Sequence, residues 1–67
     1  MHIEIEFNTD NAAFDDLPVE AVGYVLNKAA LHIEHIRRSN NKNGVDKINL
    51  CDYNGNVVGL LRVIHPL

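Results

Sequence analysis

His32 and His35 stand three residues apart with Glu34 between them. On a helix that interval would let two imidazoles share a metal ion, provided further ligands completed the site. His2, His65 and Cys51 lie elsewhere in the chain at no matching spacing, so the pair reads as two amphipathic side chains beside an apolar stripe. Cys51 is the lone cysteine. A catalytic thiol needs a base and an oxyanion donor, and no glycine elbow accompanies this one, so it reads as a small hydrophobe. Glu4 and Glu6 sit two residues apart, a spacing for paired carboxylate chemistry, yet nothing nearby completes an acid–base site. No glycine-rich phosphate loop occurs, and Tyr53 lacks the basic groove that would make it a base-stacking platform. The expectation is a protein without catalytic residues, cofactor or metal.

Such a chain must then act through its surfaces. At 67 residues and 7.5 kDa it is one small domain, residues 1–67. A domain of this size buries only about 60% of the surface that its unfolded chain exposes. One cysteine excludes an internal disulfide, which points to a partner, either another copy or a different protein, as the added support. Residues 1–27 carry Glu4, Glu6, Asp10, Asp15, Asp16 and Glu20 with no Lys or Arg, a charge of −6. Residues 28–67 carry +3, and the whole chain −3. The acidic balance gives no general attraction to nucleic acid, whereas the front half suits a basic protein surface. Apolar runs fall far short of a membrane span and no signal-peptide pattern opens the chain, so a cytoplasmic protein without membrane attachment is expected.

The elements follow from periodicity. His2–Phe7 alternates strictly, with Ile3, Ile5 and Phe7 on one face of a strand. Asn8 to Asp16 is turn-forming, with Phe14 tucked under a helix that Asp15 or Asp16 caps. The helix runs from about Leu17 to Arg37 or Arg38, its apolar stripe drawn through Val19, Val22, Leu26, Ala29, Ile33 and Ile36 and widened by Val25 and Ala30. Gly23 inside it suggests either a close approach or mere tolerance. Val45–Asp52 and Val57–His65 form a hairpin about Asn54-Gly55, a dipeptide that favours a type I′ turn. A two-residue turn makes paired residue numbers sum to a constant: Leu50 faces Gly59, Lys47 faces Arg62, and Cys51 faces Val58. One sheet face would hold Ile48, Leu50, Val57, Leu61 and Val63 beneath the helix. The other would hold Cys51, Val58, Leu60 and Ile64, the expected interface of a homodimer. There the facing cations Lys47 and Arg62 would welcome an acidic group. The fold class is α+β in β-α-β-β order, a three-stranded sheet with one long helix packed on one face.

Thr9-Asp10-Asn11-Ala12-Ala13-Phe14 and Asp52-Tyr53-Asn54-Gly55-Asn56-Val57-Val58-Gly59 together resemble a group of small phage and prophage proteins. In that group a TDNAAF-like stretch follows the first strand and a D-x-N-G-N-x-V-G hairpin follows the helix. The resemblance spans nearly the whole chain and implies a phage origin. By analogy it also implies inhibition or modulation of a host protein complex, CRISPR complexes included. The surface expected to meet such a partner is Asp10, Asp15, Asp16 and Glu20. The alternatives are a homodimeric accessory phage protein, or a small nucleic-acid binder using Arg37, Arg38, Lys42 and Lys47.

Overall fold

Alternation of apolar and charged residues makes His2–Phe7 a strand, β1, and the apolar arc downstream makes a helix, α1, Pro18–Arg38. A one-turn 3₁₀ helix, Ala12–Phe14, lies between them, and strands β2, Gly44–Cys51, and β3, Val57–His65, complete the order. A computed structural model describes residues 1–15, 18–38 and 44–65. Pro18 occupies the first helical position, where its missing N–H costs little. The expected helix cap at Asp16 lies outside the described residues. Asp15 instead ends the 3₁₀ turn, its N–H donating to the Ala12 carbonyl at 3.1 Å. Among the described residues no helix is long and apolar enough to cross a membrane.

The three strands form one sheet in the order β1-β3-β2, with both neighbours antiparallel to β3. β1 and β2 therefore run parallel without touching, which the long helical connection permits. β3 takes the centre because it is the most apolar strand and has neighbours on both edges. Ile3, Ile5 and Phe7 pair with Val63, Leu61 and Gly59, which puts them on the helix face of the sheet. That face and α1 enclose the core, in which Leu50, Leu61, Val25 and Val63 are the largest fully buried apolar side chains.

Register from Gly44 to Leu50 follows the expected pairing, including Lys47 opposite Arg62. The turn departs from it. Asp52 and Asn56 close a three-residue loop, the Asp52 N–H donating to the Asn56 carbonyl at 2.9 Å and the Gly55 N–H to the Asp52 carbonyl at 3.0 Å. Within the turn only Gly55 has positive φ, at 87°, so the turn is not type I′. It matches the common alternative of a type I turn followed by a left-handed glycine. Cys51 consequently pairs with Val57, and a bulge next to Leu50 absorbs the extra residue and restores the register beyond it. Val58 is thereby turned into the core at 6% exposure and Val57 out at 62%. Both were expected on the opposite faces.

A rotation of α1 is the other correction. Ala21, Val25, Ala29 and Ile36 are buried, Val22 and Ile33 are half-buried, and Val19, Leu26 and Ala30 are exposed. The buried row is thus turned by about 60° from the expected stripe, at 100° per residue. The apolar arc of the helix is wider than the surface that the sheet offers it.

Two glycines make a controlled comparison. A Cβ on Gly59 would run into the Glu6 carbonyl oxygen and into Phe7 on β1, whereas one on Gly23 meets nothing within 4 Å. Gly59→Ala should therefore destabilise the fold by about 1–3 kcal/mol as β1 is forced away. Gly23→Ala should stabilise it by about 0.4–1 kcal/mol, so the helix glycine marks no close approach. Urea denaturation of both variants checks the pair.

Candidate functional site

The acidic end is built by short local hydrogen bonds. Beyond β1, the Asn8 side chain accepts the Asp10 N–H at 3.3 Å, and the Asn11 side chain accepts the Ala13 N–H at 3.2 Å, capping the 3₁₀ turn. Ala13 and Phe14 are buried, and the Phe14 ring stacks on Phe7 with centroids 6.4 Å apart. That anchoring leaves Asp10 and Asp15 exposed, as is Glu20 in the first turn of α1. None of the three forms an ion pair with a described residue. Asp16 lies outside the described residues.

The hairpin tip holds this end in place. Asp52 is only 2% exposed, and its Oδ1 accepts the N–H groups of Asn54 at 2.9 Å and Asn56 at 3.0 Å. The next residue, Tyr53, donates its hydroxyl to the Ala13 carbonyl at 3.0 Å. The two sequence motifs thus close on each other through Tyr53, with Asn11 and Asp52 ordering the turn on either side. This link was missed in the sequence because it joins residues forty positions apart.

Cations are largely engaged within the chain. Arg37 and Arg38 both grip Glu34, with contacts of 3.0 Å each. The hydrogen bond from Arg37, then its charge, holds the Glu34 carboxyl below its ordinary value, and Glu34 in turn raises Arg37. On the open sheet face Glu4, Arg62 and Lys47 form one row across the three strands. Arg62 Nη1 lies 2.9 Å from Glu4 Oε1, so the acidic group that Lys47 and Arg62 invite comes from the chain's own β1. Arg62 Nε remains buried there without a hydrogen-bond partner. Lys28 lies 5.6 Å from the centre of the Tyr24 ring. Lys42 lies outside the described residues.

The expected dimer patch divides. Leu60 and Ile64 stand on the open face, half-buried and flanking Arg62, while Val58 is in the core. Cys51, a free thiol, lines a cleft of about 210 Å³ with Tyr24, Lys28 and His32, between α1 and the β2 edge. Those positions put it beside the helix and not in a patch with Leu60 and Ile64. The histidines are dispersed. His35 is exposed, His2 lies 3.4 Å from Glu4, and His65 Nε2 lies 2.7 Å from Asp46 Oδ2. Among the described residues no three His, Cys, Asp or Glu side chains converge as a metal site. The Asp46–His65 contact went unread, although the hairpin register already made these residues diagonal neighbours. Comparison with known proteins finds no matching family model, no matching curated protein and no matching solved structure.

Removing the Asp52 carboxylate strands two backbone N–H groups, so Asp52→Ala should cost at least about 1–3 kcal/mol. Tyr53→Phe, which deletes one hydroxyl bond, should cost about 0.5–1.5 kcal/mol; thermal unfolding orders the two. Carbon-detected NMR titration should place the Glu34 carboxyl below its ordinary pKa, and Arg37→Ala should move it back up. The sign follows from a lowered folded-state value. The small contribution of this exposed pair is present above the ordinary carboxyl pKa and is lost as pH falls through the lowered one.

Proposed function

We propose that this chain is a non-enzymatic binding protein that docks its acidic end, Asp10, Asp15, Asp16 and Glu20, on a basic surface of a host protein complex and inhibits or modulates it. The observation that carries this reading is the distribution of uncompensated charge. All three arginines are engaged by Glu34 or Glu4, while Asp10, Asp15 and Glu20 are exposed and without ion pairs among the described residues. A negative end on an acidic chain favours encounter with a positive partner, through the rate of association above all. The phage origin implied by the TDNAAF-like stretch and the DxNGN hairpin makes a host complex the partner, CRISPR complexes among the class, and the host cytoplasm the compartment. Nucleic acid is disfavoured as a partner because Arg37 and Arg38 would have to release Glu34 to reach phosphate.

The test is capture of host proteins on the immobilised chain. Asp10→Lys combined with Asp15→Lys should reduce retention of the captured complex at least tenfold, with an unchanged circular dichroism spectrum. Undiminished capture by the folded double variant would sink acidic docking. Retention of DNA or RNA that collapses between low and moderate salt would instead favour the nucleic-acid reading.

A further inference from the structure

α1 covers the sheet unevenly. Tyr24, Lys28 and His32 line the cleft at the β2 edge, so the opposite flank of the helix, Val22, Leu26 and Ile33, faces the β1 side. There the apolar surface stays open: Ile3 and Ile5 are each 39% exposed and Leu26 45%. β1 is also an edge strand. The Asn8 N–H donates to the Val58 carbonyl across the β1–β3 pairing. By the two-residue period of a strand, the even residues of β1 turn their backbone groups toward β3. Those of Ile3, Ile5 and Phe7 therefore point outward, where no strand among the described residues meets them.

We propose that the outward edge of β1 is a self-association site, at which a second copy of this chain adds its own β1 antiparallel to the first, Ile3 of one copy opposite Ile5 of the other. The proposal is independent of the acidic end and of any host partner. A two-fold axis perpendicular to the sheet keeps the helices on one face, so odd residues must meet odd residues. Three registers that meet it pair isoleucine with isoleucine. Ile5 on Ile5 would oppose Glu4 and Glu6 twice. Ile3 on Ile3 would oppose His2 to Glu4, which Arg62 already engages, and would leave Glu6 without a cation. Ile3 on Ile5 forms two isoleucine pairs and sets His2 opposite Glu6 of the second copy, twice. It supplies a partner to Glu6, which has no ion pair with any described residue of its own chain. Glu4 alone meets its counterpart near the axis, and Arg62 draws it toward β3 at 2.9 Å. The joined sheet would have six strands, and the open flanks at Leu26 would close over a continuous row of isoleucines.

Sedimentation equilibrium of the full chain from low to high micromolar concentration tests this, and a monomer–dimer equilibrium is expected. Ile5→Pro deletes an N–H that the β1–β3 pairing does not use, and with it two of the four hydrogen bonds expected across the axis; it should weaken dimerisation at least tenfold. His2→Glu should also weaken it, and adding Glu6→Lys to His2→Glu should restore it, because positions 2 and 6 face each other in this register and the swap returns opposite charges to them. Should Ile5→Pro unfold the chain by circular dichroism, the swap pair decides alone. A monomer throughout the range overturns the proposal, as does a dimer indifferent to His2→Glu or one abolished by Leu60→Glu on the open face.

Discussion

The buried carboxylate of Asp52 is the constraint on which the rest of the architecture turns. Among the described residues no cation pairs with it, and its Oδ1 accepts the N–H groups of Asn54 and Asn56. A buried carboxylate held in this way dictates the path of the chain around it, because any other path would leave both it and the amides unpaired. Here that path is a three-residue loop, one residue longer than Asn-Gly alone suggests. The added residue must be absorbed somewhere, and the bulge next to Leu50 absorbs it. One consequence is that Val58 enters the core. Another is that Tyr53 projects where its hydroxyl meets Ala13, which pins the 3₁₀ turn and brings Phe14 against Phe7. A polar anchor at the tip thus governs apolar packing well inside the domain.

Gly59 imposes a complementary limit at the other edge of β3. It sits opposite Phe7 on one side and Leu50 on the other, and the lack of a side chain lets β1 approach closely. Close seating of β1 brings Glu4 over Arg62, so the repulsion between Lys47 and Arg62 is answered inside the molecule. The open sheet face is therefore a mixed, partly neutralised surface, while Ile3 and Ile5 of β1 and Leu26 of α1 are among the apolar groups left uncovered. A sheet of three strands is too narrow to cover the full apolar arc of a 21-residue helix placed toward one edge.

Element types and order were legible in the residues themselves. Alternation in His2–Phe7, the three-and-four spacing from Pro18 to Arg38 and the Asn-Gly signal each report local geometry, and local geometry repeats along the chain. The acidic character of the front half was equally plain, since a run of carboxylates without Lys or Arg is read directly, although the link from Tyr53 that holds this end was not. Strand order, the rotation of α1 and the fate of Val58 were not local. Each depends on competition between surfaces distant in sequence: whether β1 seats beside Gly59, which side of the helix finds the sheet, and where a loop set by Asp52 places its surplus residue. Periodicity states which residues seek burial, but it does not state how much surface is available to bury them. That allotment is made only when the layers meet, and it decides which apolar and charged groups remain for another molecule.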